Sequence, residues 1–380
     1  MDLKHYSIMR ILENVKTDYE IILDLDEVLA TLYGFNPKYE NKEPYIHEFL
    51  RNKLSNTDIS KSFHKKLLIL YQEMLFPEIL LSIHSWFFTR ACNIENIVFL
   101  CTQSAGLKEW YQLYLNLHGI KGFTIIEAPF VSEQYKEWWL TDIPALDKKK
   151  LDKKVKYMFS YYGGRYRSPE RDFLASALST IPNSFVDYWA DSSTDEQDEK
   201  EFENYLEQFT NFCDRSYIDQ LLESRKNLEY IEGIRIFDET WKDTDTVIKK
   251  TDKISACSVI RETSNLLQYS TIGQKTLRSF MHLQFAIPIS GHKSVEYLER
   301  LGFVFNHKLI DYSYQYEYSV YKRMKLLIKE LNRLSTEYTL NDWQDIIHDN
   351  AELLCYNYNH FAEGTMLKVI KQNVIRSLNE

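Results

Sequence analysis

The sequence predicts an α/β protein with parallel sheets, and three observations predict it. Short apolar runs, such as Ile21-Ile22-Leu23, residues 94–100 and residues 256–260, lack polar alternation and so suit strands buried on both faces. Stretches with apolar residues three and four apart, such as 107–117, suit amphipathic helices. These two kinds of segment alternate, and a strand-helix-strand order calls for parallel crossovers. At 380 residues the chain exceeds what one hydrophobic core usually serves, so two domains are expected.

Composition narrows the function classes. There are 46 Lys and Arg against 55 Asp and Glu, a net charge of −9, which argues against a protein wrapped in nucleic acid. A local basic groove stays open. The 27 tyrosines suit core filling or stacking on bases and sugars. Five scattered cysteines (Cys92, Cys101, Cys213, Cys257, Cys355) form no CxxC pair, so neither a zinc site nor a disulfide framework is expected. The opening MDLKHYSIMR has no signal-peptide core, and no apolar run approaches bilayer length. A soluble, cytoplasmic protein without a membrane partner is the expectation.

In chain order, YEIILDLDEVLA (19–30) reads as a buried strand that ends in Asp24 and Asp26. Residues 42–71 read as helical and highly charged, 76–86 as an apolar helix, and 94–100 as a strand. Residues 107–117 read as a helix bracketed by Gly119 and Gly122, and 123–126 as a short strand. The lysine-rich DKKKLDKKVK (147–156) reads as a solvated connector, or as a docking surface for an anionic acceptor. The next strand, from Tyr157, meets Gly163-Gly164, and Arg165, Arg167 and Arg171 follow. Ser168-Pro169 is an N-cap followed by proline at the first helical position. Glycines let backbone approach a ligand, and arginines at such a turn clamp phosphate in bidentate fashion, or else pair with surface acids.

The stretch 258–303 carries the most chemistry. A strand over 256–260 ends at Glu262-Thr263. A helix starts near Gly273-Gln274-Lys275-Thr276. A second strand, 285–289, runs into Gly291-His292, and a second helix, 294–301, stops at Gly302. Free N–H groups and the helix dipole at such starts favour phosphate. A sugar nucleotide is therefore the ligand expected in this half. Beyond it lie an acidic, tyrosine-rich loop (309–318) and helices over 321–334, 342–358 and 361–378.

The run ETSNLLQYSTIGQKTLRSFMHLQFAIPISGHKSVEYLERLGF resembles the C-terminal core of a glycosyltransferase-like family encoded by large phages and other viruses. The matching parts are Glu262-Thr263, Gln274-Lys275-Thr276, the strand over 285–289, Gly291, and Tyr297-Leu298 to Gly302-Phe303. Asp311-Tyr312-Ser313-Tyr314, Arg323, residues 357–361, and Gly164 with Arg165, Arg167 and Arg171 extend the likeness. It covers about residue 156 to the C-terminus and departs at Gln274, where that family has Glu. Gln still hydrogen-bonds ribose hydroxyls, but without charge.

The resemblance implies a GT-B-like architecture, two Rossmann-like domains facing across a cleft. The expected division is 1–155 for the acceptor, 156–355 for the nucleotide sugar, and a C-terminal helix over 356–380 packing back on the first domain. It implies a nucleoside-diphosphate sugar as donor, a UDP-sugar foremost, and a hydroxyl acceptor such as a hydroxymethylated pyrimidine in DNA. The donor site is then Arg165, Arg171, Glu262, Thr263, Gly273, Gln274, Lys275, Thr276, Gly291 and His292, with Asp24 or Asp26 as catalytic base and no obligatory metal or cofactor. His84 is a weaker base candidate, because a lone His in an apolar helix is more often packed.

Two alternatives stand beside this. LDLDE resembles the first motif of haloacid-dehalogenase-type phosphatases, with Asp24 as nucleophile, Asp26 as acid/base and magnesium between them. VFLCTQS (98–104) resembles that family's second motif, Lys154 or Lys156 its lysine, and Asp187 or Asp191 its later acids at poor spacing. The other alternative is a non-catalytic nucleotide-binding protein, suggested by Gln274.

Overall fold

A computed structural model of the chain describes residues 19–24, 43–54, 66–71, 77–90, 92–101, 104–128, 146, 148, 151–152, 154–164, 169–188, 215–216, 219, 222–223, 254–261, 270–271, 274–289 and 291–379. It is mixed α/β with two parallel sheets and ten α-helices among these residues. Contacts divide the chain into two units. Unit 1 is Met1–Ile143, Gln268–Gly273 and Met366–Glu380; unit 2 is Pro144–Leu267 and Gln274–Thr365.

Unit 1 holds strands β1 (Tyr19–Asp24), β2 (Lys66–Tyr71), β3 (Ile97–Cys101) and β5 (Thr124–Glu127), paired in that order and all parallel. Between them run helices α1 (Glu43–Lys53), α2 (Pro77–Phe88) and α3 (Leu107–His118). Alternate residues Leu67 and Ile69, Ile97, Phe99 and Cys101, and Ile125 share one sheet face. They form a single core with Ile46 and Leu50 of α1, Leu80, Ile83 and Phe87 of α2, and Leu107, Tyr111 and Leu115 of α3. All three helices therefore cover the same face. Strands added in one direction by right-handed crossovers give that result. The opposite face is buried too, at Val98, Leu100 and Ile126. A two-residue strand, β4 (Ser104–Ala105), pairs antiparallel with β9 (Ser270–Thr271), which is how 268–273 comes to belong to this unit. The last helix, α10 (Thr365–Asn379), buries Met366, Ile370 and Val374 at a spacing of four.

The strand β2 corrects the sequence reading, which placed 42–71 in helix. KLLILY is apolar on both faces, and periodicity cannot separate such a short run from a buried helix turn. As an inner strand it needs both faces apolar.

Unit 2 holds β6 (Tyr157–Gly164), β7 (Ser184–Tyr188), β8 (Ser255–Ile260) and β10 (Phe285–Pro288), in the order β10-β8-β6-β7 and all parallel. The chain moves from β6 outward to β7, then crosses to β8 and on to β10. Winding thus reverses between β6 and β8, as in doubly wound sheets. Helix α4 (Pro169–Ser179) links β6 to β7 and packs on both; α5 (Gln274–Met281) links β8 to β10 and packs on both. Right-handed crossovers in opposite directions set these two helices on opposite faces. Every residue of β8 is buried, as an inner strand between two helix layers requires.

The edge of this sheet at β10 is closed by tyrosines. After α6 (Ser294–Arg300), a 3₁₀ turn (Tyr312–Tyr316) buries Tyr312 and Tyr314. Their hydroxyls donate to the Ala286 and Pro288 carbonyls at 3.1 and 3.0 Å. Two residues apart on a strand, these carbonyls point the same way, outward from β8. Pro288 has no N–H to leave unpaired at that edge. The tyrosine-rich stretch is packed structure. Its frame is α7 (Val320–Glu337). The fully buried Arg323 donates to the Glu317 and Tyr318 carbonyls, and Glu330 accepts the Asp311 N–H at 2.9 Å. Burial lowers the Arg323 guanidinium to about 10, against the pull of Glu317.

The residues 342–358 form two helices, α8 (Leu340–Asp349) and α9 (Ala351–Ala362), a second correction. No Gly or Pro marks the break. Asn350 makes it, its amide donating to the Ile346 carbonyl at 2.8 Å while its oxygen accepts from Asn306 at 2.7 Å. A second break at Gly364, with φ of 70°, puts Phe361 in α9 and starts α10 at Thr365.

Helix α9 grips the turn after α6. Asn357 pairs with both backbone groups of Val304, accepting its N–H and donating to its carbonyl, each at 2.8 Å. His360 Nε2 lies 2.7 Å from the Leu301 carbonyl and donates to it. Gly302 between them has φ of 98°, and a Cβ there would meet the His360 ring at 2.6 Å.

Candidate functional site in unit 2

Open α/β sheets bind ligands at strand carboxyl ends where winding reverses. In unit 2 that place is between β6 and β8, and a cleft lies there. It is lined by Tyr162 of β6, Ser258, Val259 and Ile260 of β8, and Lys275, Arg278 and Ser279 of α5. Pairing with β7 slips by one residue between Tyr162 and Gly164, a bulge at Gly163. Bulges re-aim neighbouring side chains.

Lys275 stands in the first turn of α5, partly buried, and Nζ donates to the Arg261 carbonyl just beyond β8 at 3.2 Å. That bond holds the ammonium against the end of the strand. Arg278 is one turn on, so it shares a helix face with Lys275. Its guanidinium carbon sits 5.6 Å from the centroid of the Tyr162 ring. Thr276 is buried, and its carbonyl accepts from Ser279 Oγ at 2.6 Å. Arg171 occupies the first turn of α4, 3 % exposed, so a guanidinium charge is held inside the protein at the start of the helix that follows β6.

Several expected site residues lie elsewhere. Arg165, Glu262, Thr263, Gly273 and Asp26 lie outside the described residues, as do Arg167 and Asp191. Gln274 begins α5, and Asp24 ends β1. Gly291 and His292 are buried beyond β10, where the His292 ring stacks on Tyr318 at 4.0 Å. The N–H of Glu296 is taken by the Gln315 side chain at 2.9 Å, so α6 spends that donor inside the protein. Position 187 falls inside β7, one residue before its end. Strand β2 separates β1 from β3, so the two strand ends that a phosphatase would use are about 10 Å apart, two strand spacings. Among the described residues, no three His, Cys, Asp or Glu side chains are grouped to hold a metal ion. No helix among them is long and apolar enough to cross a membrane.

His84 is packed. It is 4 % exposed among the rings of Phe88, Tyr111, Tyr114 and Phe123, with Nδ1 2.5 Å from the Tyr111 hydroxyl. The Tyr111 oxygen accepts the Phe123 N–H at 3.3 Å. Burial lowers the imidazole's affinity for a second proton.

Three residues escaped the sequence reading. Arg278 could have been found from its spacing of three from Lys275. Tyr162 has no signal of its own before the bulge is seen. Glu127 ends β5 with a partly buried carboxylate, and accepts the Lys108 N–H at the start of α3 at 2.9 Å. Desolvation pushes its pKa up to about 7, against the helix-start N–H bonds that oppose the shift.

No family model, curated protein or solved structure matches this chain.

Proposed function

We propose that the protein is a glycosyltransferase that takes a sugar from a nucleoside diphosphate, UDP foremost, to a hydroxyl acceptor. The observation that carries the reading is the pair of cations, Lys275 and Arg278, on one face of α5 beside the β6–β8 winding reversal. Loss of a nucleoside diphosphate leaves negative charge on the departing phosphate, and cations held nearby stabilise that charge, Lys275 from the first turn of α5 and Arg278 from its last. Arg171, at the start of α4, adds a third cation in the same unit. A GT-B-like arrangement, with the nucleotide on unit 2 and the acceptor on unit 1, is part of the proposal, as is a hydroxymethylated pyrimidine in DNA as acceptor.

The acceptor hydroxyl must lose a proton as its oxygen attacks the anomeric carbon and the sugar–phosphate bond breaks. Asp24 and Asp26 remain the first candidates for that base. Glu127, also at a strand carboxyl end of unit 1, is a second, and its titration near neutrality suits the role. The test is isothermal titration calorimetry of UDP and other nucleoside diphosphates, with and without magnesium. UDP binding that weakens at least tenfold in Lys275→Ala supports the reading. Binding of magnesium alone, lost in Asp24→Asn, replaces it with the phosphatase.

A further inference from the structure

A second recess opens in unit 2, at the other end of the sheet from the cleft between β6 and β8. It lies where β6 and β7 begin, against the turn from α7 into α8. Met158, which lines it, comes four residues before Tyr162, about 13 Å along β6. The recess has a volume of about 380 Å³, within the range of small-molecule pockets, against about 10 Å³ for the cleft. Hydrogen bonds fix the backbone around it. The Met158 N–H donates to the Asn183 carbonyl at 2.8 Å, and Gln344 of α8 accepts the Val155 N–H and donates to the Leu151 carbonyl, each at 3.0 Å. The recess thus exists before any ligand arrives, which spares binding an ordering cost.

The lining decides the ligand class. None of the eight residues that form it is charged. Asn183 and Asn341, both exposed, bring amides that donate and accept. The hydroxyls of Ser335 and Thr336 donate to the Asn332 carbonyl, so their oxygens keep lone pairs for an outside donor. Tyr338 adds a half-buried ring, set edge-on against the buried Trp343. Met158 and Leu340 are the apolar members, too few for an apolar ligand. Anions are disfavoured as well. Asp342 already holds the Thr339 N–H at the start of α8 at 2.7 Å, and Glu337 ends α7 on the other side of the turn. A ring carrying several neutral hydroxyls matches this set, since each hydroxyl donates and accepts and the C–H face of the ring can lie on Tyr338. From this we infer that unit 2 carries a saccharide site at the amino ends of β6 and β7, built for a neutral sugar. The site is independent of the nucleotide reading, because it shares no residue with the cleft.

The experiment is saturation-transfer NMR on the full chain with glucose, galactose, mannose, N-acetylglucosamine and maltose, and with glucuronate as the anionic control. Titrations are repeated on Asn183→Gly, Asn341→Ala and Lys275→Ala, with thermal unfolding recorded for each. Glycine keeps the left-handed turn at Asn183, where φ is 58°, and alanine suits the first turn of α8, so both Asn variants are expected to fold. The expected result is saturable binding of at least one neutral sugar, weakened about three- to tenfold in each Asn variant by loss of a hydrogen bond and unchanged in Lys275→Ala. Four results overturn the site: no saturable response from any neutral sugar, equal affinity in the Asn variants, tighter binding of glucuronate than of every neutral sugar, or loss in Lys275→Ala, which would put the sugar in the cleft between β6 and β8.

Discussion

Replacing Gly302 by Ala strikes the turn where α6 is held by α9. Two costs are readable from the structure. The first is backbone strain, because φ of 98° is a region that residues with a Cβ avoid, at about 1–2 kcal/mol. The second is overlap: the new methyl would stand 2.6 Å from the His360 ring, and overpacking of this kind costs about 1–3 kcal/mol. His360 cannot simply swing away, because Nε2 is bonded to the Leu301 carbonyl and the ring packs edge-on against Phe303. The expected destabilisation of unit 2 is about 2–5 kcal/mol. A double-mutant cycle separates the parts. His360→Ala alone strands the Leu301 carbonyl at about 1–3 kcal/mol. In the double variant the overlap is gone and only strain remains, so the two changes should sum to less than their separate effects by at least 1 kcal/mol. Urea denaturation, with hydrogen exchange of the Val304 amide as a local probe, measures both. A cost for Gly302→Ala below 0.5 kcal/mol, or strict additivity in the cycle, would refute the reasoning.

Four further outcomes are expected. Asn357→Leu removes both bonds to Val304 and should cost about 1–2 kcal/mol, with faster exchange at the Val304 amide; water reaches Val304, which limits the loss. Tyr312→Phe and Tyr314→Phe should each cost about 1 kcal/mol in urea titrations, since each strands one strand carbonyl. Glu127 has a folded pKa of about 7 against an ordinary 4.5, so the unfolded chain loses this proton first as pH rises, and the group's contribution falls between those values. Glu127→Gln should therefore leave stability unchanged below pH 4.5 and raise it by about 1–3 kcal/mol at pH 8, seen as a pH-dependent difference in urea midpoint. Protonating His84 would place a charge among four aromatic rings, so His84→Gln should shift the acid unfolding of unit 1 to lower pH, followed by circular dichroism.

The strands of unit 2 were legible because β6, β8 and β10 are short apolar runs bounded by turn residues, and their helices carry clear spacing. The same rule failed at β2, where LLIL sits after a charged stretch that fits a helix. It failed again at Asn350, because a tertiary amide network sets that break and leaves no mark in local propensity. Lys275 and Arg171 were legible as cations at helix starts. Arg278 was hidden by lying a turn deeper, and Tyr162 by a bulge that only strand pairing shows. Asn357 was visible as a residue, but its service as a two-sided backbone clamp depends on Val304, 53 positions away. Glu127 was lost because its burial depends on the strand and helix packed around it.

The tyrosine hydroxyls along β10 have a consequence for assembly. A sheet edge with free carbonyls accepts any extended segment that can supply N–H groups. Here Ala286 and Pro288 already hold O–H donors, and Pro288 offers no N–H in return. A fifth strand, whether from a peptide or from another copy, finds no ladder to climb on that side. Among the described strands of this sheet, growth by strand addition is left to β7 alone, so the sheet is polar in the sense that a zipper is: one end is stitched and the other carries the teeth.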